Sequence, residues 1–138
     1  MKVECQANQG DALPDSYFDR GYSRASRFDL KLGNHYSVYG ICLHLGDILY
    51  LLLGEGQRPG WYPAELFEVI DGKLHSSWHY TFLGFESELN AIWGYNELVN
   101  DSEYFDQLSN LEDPALIIFE KRRMELPKFR MIKALPQQ

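Results

Sequence analysis

No lysine or arginine occurs between Lys73 and Lys121, a run of 47 residues (74–120) that holds nine acids: Glu86, Glu88, Glu97, Asp101, Glu103, Asp106, Glu112, Asp113 and Glu120. A nucleic-acid surface needs a basic face, and this stretch cannot supply one. The net charge of −7 extends that exclusion to the chain as a whole. Long apolar runs are missing too. Ile48 to Leu53 is the longest and is strand-sized, far short of the roughly 20 residues that cross a bilayer. The opening MKVECQANQGD has no apolar segment after its lysine, so no signal peptide is expected, and the expected compartment is the cytoplasm, with no membrane partner.

Cysteine is scarce. Cys5 and Cys42 fit no metal-ligand spacing, and both thiols are expected to be free. Cys42 lies in an apolar run and is expected inside; Cys5, in a polar leader, is expected at the surface. Catalytic signatures are absent as well. There is no Gly-x-Ser-x-Gly elbow, and Gly54-Glu55-Gly56 with Gly60 lacks the Lys-Ser/Thr ending of a phosphate loop. His75 and His79 stand four apart, a helical metal spacing, but they flank Trp78 at a turn into a strand, where that spacing does not reliably put both on one face. No catalytic residue, metal ligand or cofactor is assigned, and no enzyme activity is expected, although a Ser or Cys paired with His in space leaves no mark in sequence.

What the chain does have is a core. Apolar residues make up 45% and aromatics 14% of 138 residues, enough for one domain without metals or disulfides. Residues 1–28 read as a polar leader, 29–95 as a β-meander, 96–126 as helical and 127–138 as a basic tail. Asp29-Leu30-Lys31-Leu32-Gly33 alternates and predicts a short strand. Tyr36 to His44, Ile48 to Leu53, Leu66 to Ile70, Trp78 to Leu83 and Leu89 to Tyr95 predict further strands, punctuated by Gly46-Asp47 and Asp71-Gly72. Gly54 to Gly60 reads as a loop closed by Trp61-Tyr62-Pro63. The period then changes to 3.6. Asn100 or Asp101 caps a helix carrying Tyr104, Phe105 and Leu108, and Asp113-Pro114 starts a second with Leu116, Ile117 and Phe119 facing inward. Pro127 stops it, and Phe129, Met131 and Ile132 are available for docking. The expected class is α+β: a curved antiparallel β-meander or partly open small barrel followed by two C-terminal helices.

Two groups of side chains stand out. Trp61, Tyr62, Trp78, Trp93 and Tyr95 either fill the core or line a surface for a ligand or partner. The acidic stretch is either a solvated face or an electrostatic dock for a basic partner. On the second reading Glu97, Asp101, Glu103 and Asp106 steer the partner, and Trp61 and Tyr62 anchor it. A rival reading is a small-molecule site, or a minor enzyme, with a pocket lined by Trp61, Trp78 and Trp93. A third is a structural subunit of a larger assembly.

WYPAELFEVIDGKLHSSWHY, AIWGYNELVNDSEYFDQL and DPALIIFEKRR together resemble a group of small, largely uncharacterised bacterial proteins of toxin loci, in the manner of immunity proteins. The resemblance spans roughly residues 29 to 125. It rests on Trp61, Pro63, Phe67, Asp71, Gly72, Trp78, Trp93, Gly94, Tyr95, Tyr104 and Phe119. It implies a non-enzymatic inhibitor whose partner is a basic bacterial toxin, such as a nuclease with a basic substrate cleft.

Overall fold

The structure, a computed structural model, describes residues 1–125; the Pro127 stop, the tail 127–138 and the docking of Phe129, Met131 and Ile132 lie outside the described residues. Within them run β1 (Lys2–Cys5), β2 (His35–Ser37), β3 (Gly40–His44), β4 (Asp47–Leu53), β5 (Pro59–Pro63), β6 (Phe67–Asp71), β7 (His79–Phe82) and β8 (Leu89–Gly94). Three helices follow: α1 (Asn96–Asn100), α2 (Tyr104–Ser109) and α3 (Asp113–Glu125). The strands form two antiparallel sheets, β2-β1-β6 and β5-β4-β3-β8-β7. The fold is α+β, and the sheets stay open without closing into a barrel.

The leader is structural. Val3 and Cys5 alternate inward from β1, the central strand of the small sheet, and Leu13 and Tyr17 are also buried. Cys5 is therefore inside and not at the surface, and burial raises its thiol pKa. Four residues are too few to show a period, and only pairing with β2 and β6 makes them a strand.

Asp29 to Gly33 is not a strand, because its polar groups go elsewhere. The Asp29 carbonyl accepts the Glu55 N–H, and its carboxylate accepts the Gly56 N–H at 2.8 Å. The segment thus ties down the glycine loop. Tyr36 to His44 splits in two: Val38 N–H donates to Met1 in the small sheet, and Tyr39 N–H donates to Leu51 in the large one. Pro59 to Pro63, expected as loop, is edge strand β5. Edge strands are where prolines fit a sheet. Trp78, expected to open this strand, precedes β7, which begins at His79.

Two cores result. The first joins Val3, Cys5, Tyr17, Tyr36, Val38 and Leu66 to Tyr50 and Leu52 of β4. The second packs Leu51 and Ile92 of the large sheet against Leu98, Tyr104, Leu108, Ala115 and Phe119 of the helices. Helix α1 sits close because Gly40 and Gly94 face it: a Cβ on either would lie 2.5 or 2.6 Å from Leu98 Cδ2. Helix α1 lies within 96–126, read as helical, but was not expected as a separate helix; one turn carries no readable period. On α3, Ala115 and Phe119, four apart, form the inner face, and Ile117 points outward at 71% exposed, contrary to expectation. Asp113 is itself the first residue of α3, and the Glu112 carbonyl accepts the first N–H groups.

Candidate functional site

Residues directly opposite in neighbouring strands share a face. One face of the large sheet, carrying Leu51, Leu53, Trp61 and Ile92, lies under the helices. On the other face, Ile41, Tyr50, Leu52 and Tyr62 meet the first core. Beyond them that face is uncovered. Tyr80, opposite Trp93, and the row Phe82, Ala91, Leu43, Ile48 run to the open end. Tyr80, Phe82 and Ile48 are exposed, and the Tyr80 and Trp93 rings lie 4.9 Å apart.

Two hairpin tips extend this face. The β3–β4 turn presents Leu45; the β7–β8 loop presents Leu83 and Phe85, with Glu86 and Glu88 beside them. Phe85 is 76% exposed and packs edge-on against Phe82, centroids 5.2 Å apart. Turns favour small polar residues, so exposed leucines and a phenylalanine here need a reason.

Asn90, only 2% exposed, locks the tips together. Its Oδ1 accepts the Gly46 N–H at 3.0 Å, and its Nδ2 donates to the carbonyls of Gly84 at 3.0 Å and Ser87 at 2.7 Å. The Leu45 N–H donates to the Glu88 carbonyl at 2.8 Å. Leu45 has φ +49° and Gly46 φ +83°, the double positive φ of a type I′ turn, where asparagine is the favoured first residue. A leucine in the left-handed region is strained. The turn therefore holds an apolar side chain in solvent at a backbone cost. Sequence reading missed this platform; its signal is FLGFESEL, apolar residues within a glycine-marked turn.

The residues anticipated as a docking site fall in different settings. Trp61 stacks on Phe105 at 5.2 Å and is half-buried, with its Nε1 enclosed and unpartnered. Tyr62 packs on Phe28 against the first core. Both are half-buried and pack against the two cores. Glu97 is held by Arg122, whose Nε and Nη2 donate to its two oxygens at 2.8 and 2.9 Å. Those bonds lower its carboxyl pKa. Its charge is thus matched inside the fold. Asp101, Glu103 and Asp106 are exposed together around the start of α2, and the Asp101 carboxylate caps the turn by accepting the Glu103 N–H.

Nor do the three tryptophans converge. Trp61 borders a cavity of about 230 Å³ with Tyr22, Cys42 and Phe105. Cys42 is buried as expected, and desolvation pushes its thiol up to about 12, so it is inert as a nucleophile at neutral pH. Trp78 borders a separate cavity of about 270 Å³ with Tyr39, His75, Arg122 and Arg123. Trp93 lies on the open face against Tyr80. In the second cavity Ser77 Oγ and His75 Nδ1 are 2.6 Å apart, but the same nitrogen accepts the Ser77 N–H at 3.1 Å. That pair closes a turn. Among the described residues no group of three His, Cys, Asp or Glu is placed to hold a metal, and no helix is long and apolar enough to cross a membrane.

No protein-family model, curated protein or solved structure matches the chain.

Proposed function

We propose that this protein is a non-enzymatic cytoplasmic binding protein that occludes a basic protein partner, an immunity-type inhibitor of a bacterial toxin. The platform of Leu45, Ile48, Phe82, Leu83 and Phe85 carries the reading. Apolar groups at two hairpin tips, fixed by a buried asparagine and held in one case against backbone preference, suit a pre-organised docking surface. Glu86 and Glu88 border it, and strands β7 and β8 with their loop contain no lysine or arginine. Asp101, Glu103 and Asp106 add exposed negative charge on the helical side. Such a distribution draws a basic partner in, and the platform then buries apolar area against it. The resemblance of residues 29 to 125 to immunity-type proteins points the same way.

The test is binding to a candidate basic bacterial toxin, followed by stopped-flow fluorescence at two salt concentrations. Phe85→Ala is expected to speed dissociation by at least about tenfold, as for a central anchor. The triple change Asp101→Lys, Glu103→Lys, Asp106→Lys is expected to slow association by about tenfold at low salt and by less at high salt. Affinity untouched by Phe85→Ala and rates indifferent to salt would refute the proposal. The rival small-molecule reading keeps one observation in its favour, the 270 Å³ cavity walled by Tyr39, Trp78 and Tyr95.

A further inference from the structure

The four sheet edges are not alike. Natural edges are blunted by proline, charge, shortness or cover, because an unpaired ladder recruits another strand. Strand β5 has Pro59 and Pro63 at its ends and α2 stacked on Trp61. Strand β2 is three residues long. Strand β6 carries Glu68 and Asp71. Strand β7 is His79-Tyr80-Thr81-Phe82, with no proline, lysine or acid, and among the described residues nothing pairs with its outer side.

The register says which backbone groups are left over. The Leu83 N–H donates to the Asn90 carbonyl at 2.6 Å, so this is a hydrogen-bonded pair. Antiparallel pairs alternate. Thr81 opposite Ile92 and His79 opposite Gly94 are then bonded inward, and Tyr80 and Phe82 direct their N–H and C=O outward. The same two residues lay their exposed rings on the open face. One edge thus offers a ladder and, beside it, aromatic ground for every second side chain of an incoming strand.

We infer that β7 takes an extended, basic segment of the protein partner as a sixth strand of the large sheet. This rests on the proposed function and specifies how the partner is held. Main-chain bonds to Tyr80 and Phe82 supply the register. Alternate lysine or arginine side chains cross the aromatic rings of Tyr80, Phe82 and Trp93, where cations are attracted to the ring faces. Glu86 and Glu88 lie in the adjoining loop, and residues 74–94 hold no lysine or arginine to oppose them. A second copy of the chain is disfavoured as occupant by its own net charge of −7.

The experiment uses the full chain, labelled with 15N, and a blocked heptapeptide alternating lysine and valine. At peptide concentrations about tenfold above Kd, amide exchange at Tyr80 and Phe82 is expected to slow about tenfold, as binding to the closed state requires. The same peptide N-methylated at alternate residues, and a glutamate–valine peptide, are expected to leave both amides unchanged. Unprotected Tyr80 and Phe82 amides would overturn the inference, as would equal protection by the glutamate peptide. So would protection in the peptide-free protein that grows with its concentration, which indicates self-pairing. A partner that binds through the platform while both amides exchange freely removes the edge inference and leaves the proposed function. Peptide protection with no partner binding does the reverse.

Discussion

The two faces of the five-stranded sheet come from the same apolar and aromatic strands and meet opposite fates. One is sealed by α1, α2 and α3, with Leu98 over Gly40 and Gly94 and Phe119 wedged edge-on against Tyr39. The other is covered where Ile41, Tyr50, Leu52 and Tyr62 meet the first core and left exposed at Ile48, Tyr80 and Phe82. An apolar residue on the sealed face stabilises the fold by leaving water; its counterpart on the bare face contributes little until something else covers it. On the proposed function, stability and recognition are divided between two sides of one sheet.

The sharpest way to break that comparison is to truncate one phenylalanine on each side. Phe119→Ala is expected to cost about 3 to 5 kcal/mol in urea denaturation, as for other buried rings. Phe85→Ala is expected to change stability by less than about 0.5 kcal/mol. Equal costs would show that the bare side belongs to the core.

Asn90→Ala tests whether the tips are locked. It strands the Gly46 N–H and the Gly84 and Ser87 carbonyls, and each unmet group costs energy where water cannot replace the partner. The expected loss is about 2 to 3 kcal/mol, read from the same denaturation curves, with faster exchange at the Gly46 amide. A neutral result would mean that water substitutes for the side chain and the platform is loosely held.

On the sealed side, Glu97 and Arg122 bind α1 to α3. Hydrogen bonds from Arg122 depress the carboxyl pKa of Glu97. The stabilisation is present above the ordinary carboxylate pKa and is lost as pH falls through the lower folded value. With the pair partly solvated, the loss below about pH 4.5 should be about 1 kcal/mol or less. Glu97→Gln should reduce stability at pH 7 and flatten the acid limb of a stability–pH curve. An unchanged limb would assign the acid sensitivity to other carboxylates.

The smallest effect has the opposite sign. Leu45→Asn relieves the left-handed strain and is expected to raise stability by about 0.5 to 1 kcal/mol while weakening partner binding. A variant that gained stability and kept full affinity would remove Leu45 from the recognition surface.

Several elements were legible in the chain because they depend on neighbours in sequence. The hairpin of β3 and β4 announces itself by Gly46-Asp47 between apolar runs, and α3 by Asp113-Pro114 at its start. The charge vacuum from Lys73 to Lys121 was plain. Its meaning was not, because Glu97 and Glu120 are answered by Arg122 and Arg123, and contiguity in sequence says nothing of such pairing. The surroundings of Trp61 and Tyr62 were hidden for a related reason: a tryptophan beside prolines reads as a loop anchor, and only the approach of Phe105 and Phe28 half-buries the pair.

Composition, period and turn chemistry alone thus determined an acidic α+β domain of antiparallel hairpins ending in helices. Tertiary structure alone decided that β1 pairs across more than thirty residues with β2, that the chain between Val38 and Tyr39 passes from one sheet to the other, and that part of one sheet face stays exposed. The physical reason is the range of the forces. Propensities and turns act over a few residues, whereas strand partners and the covering of a face depend on segments that meet only after the chain has folded.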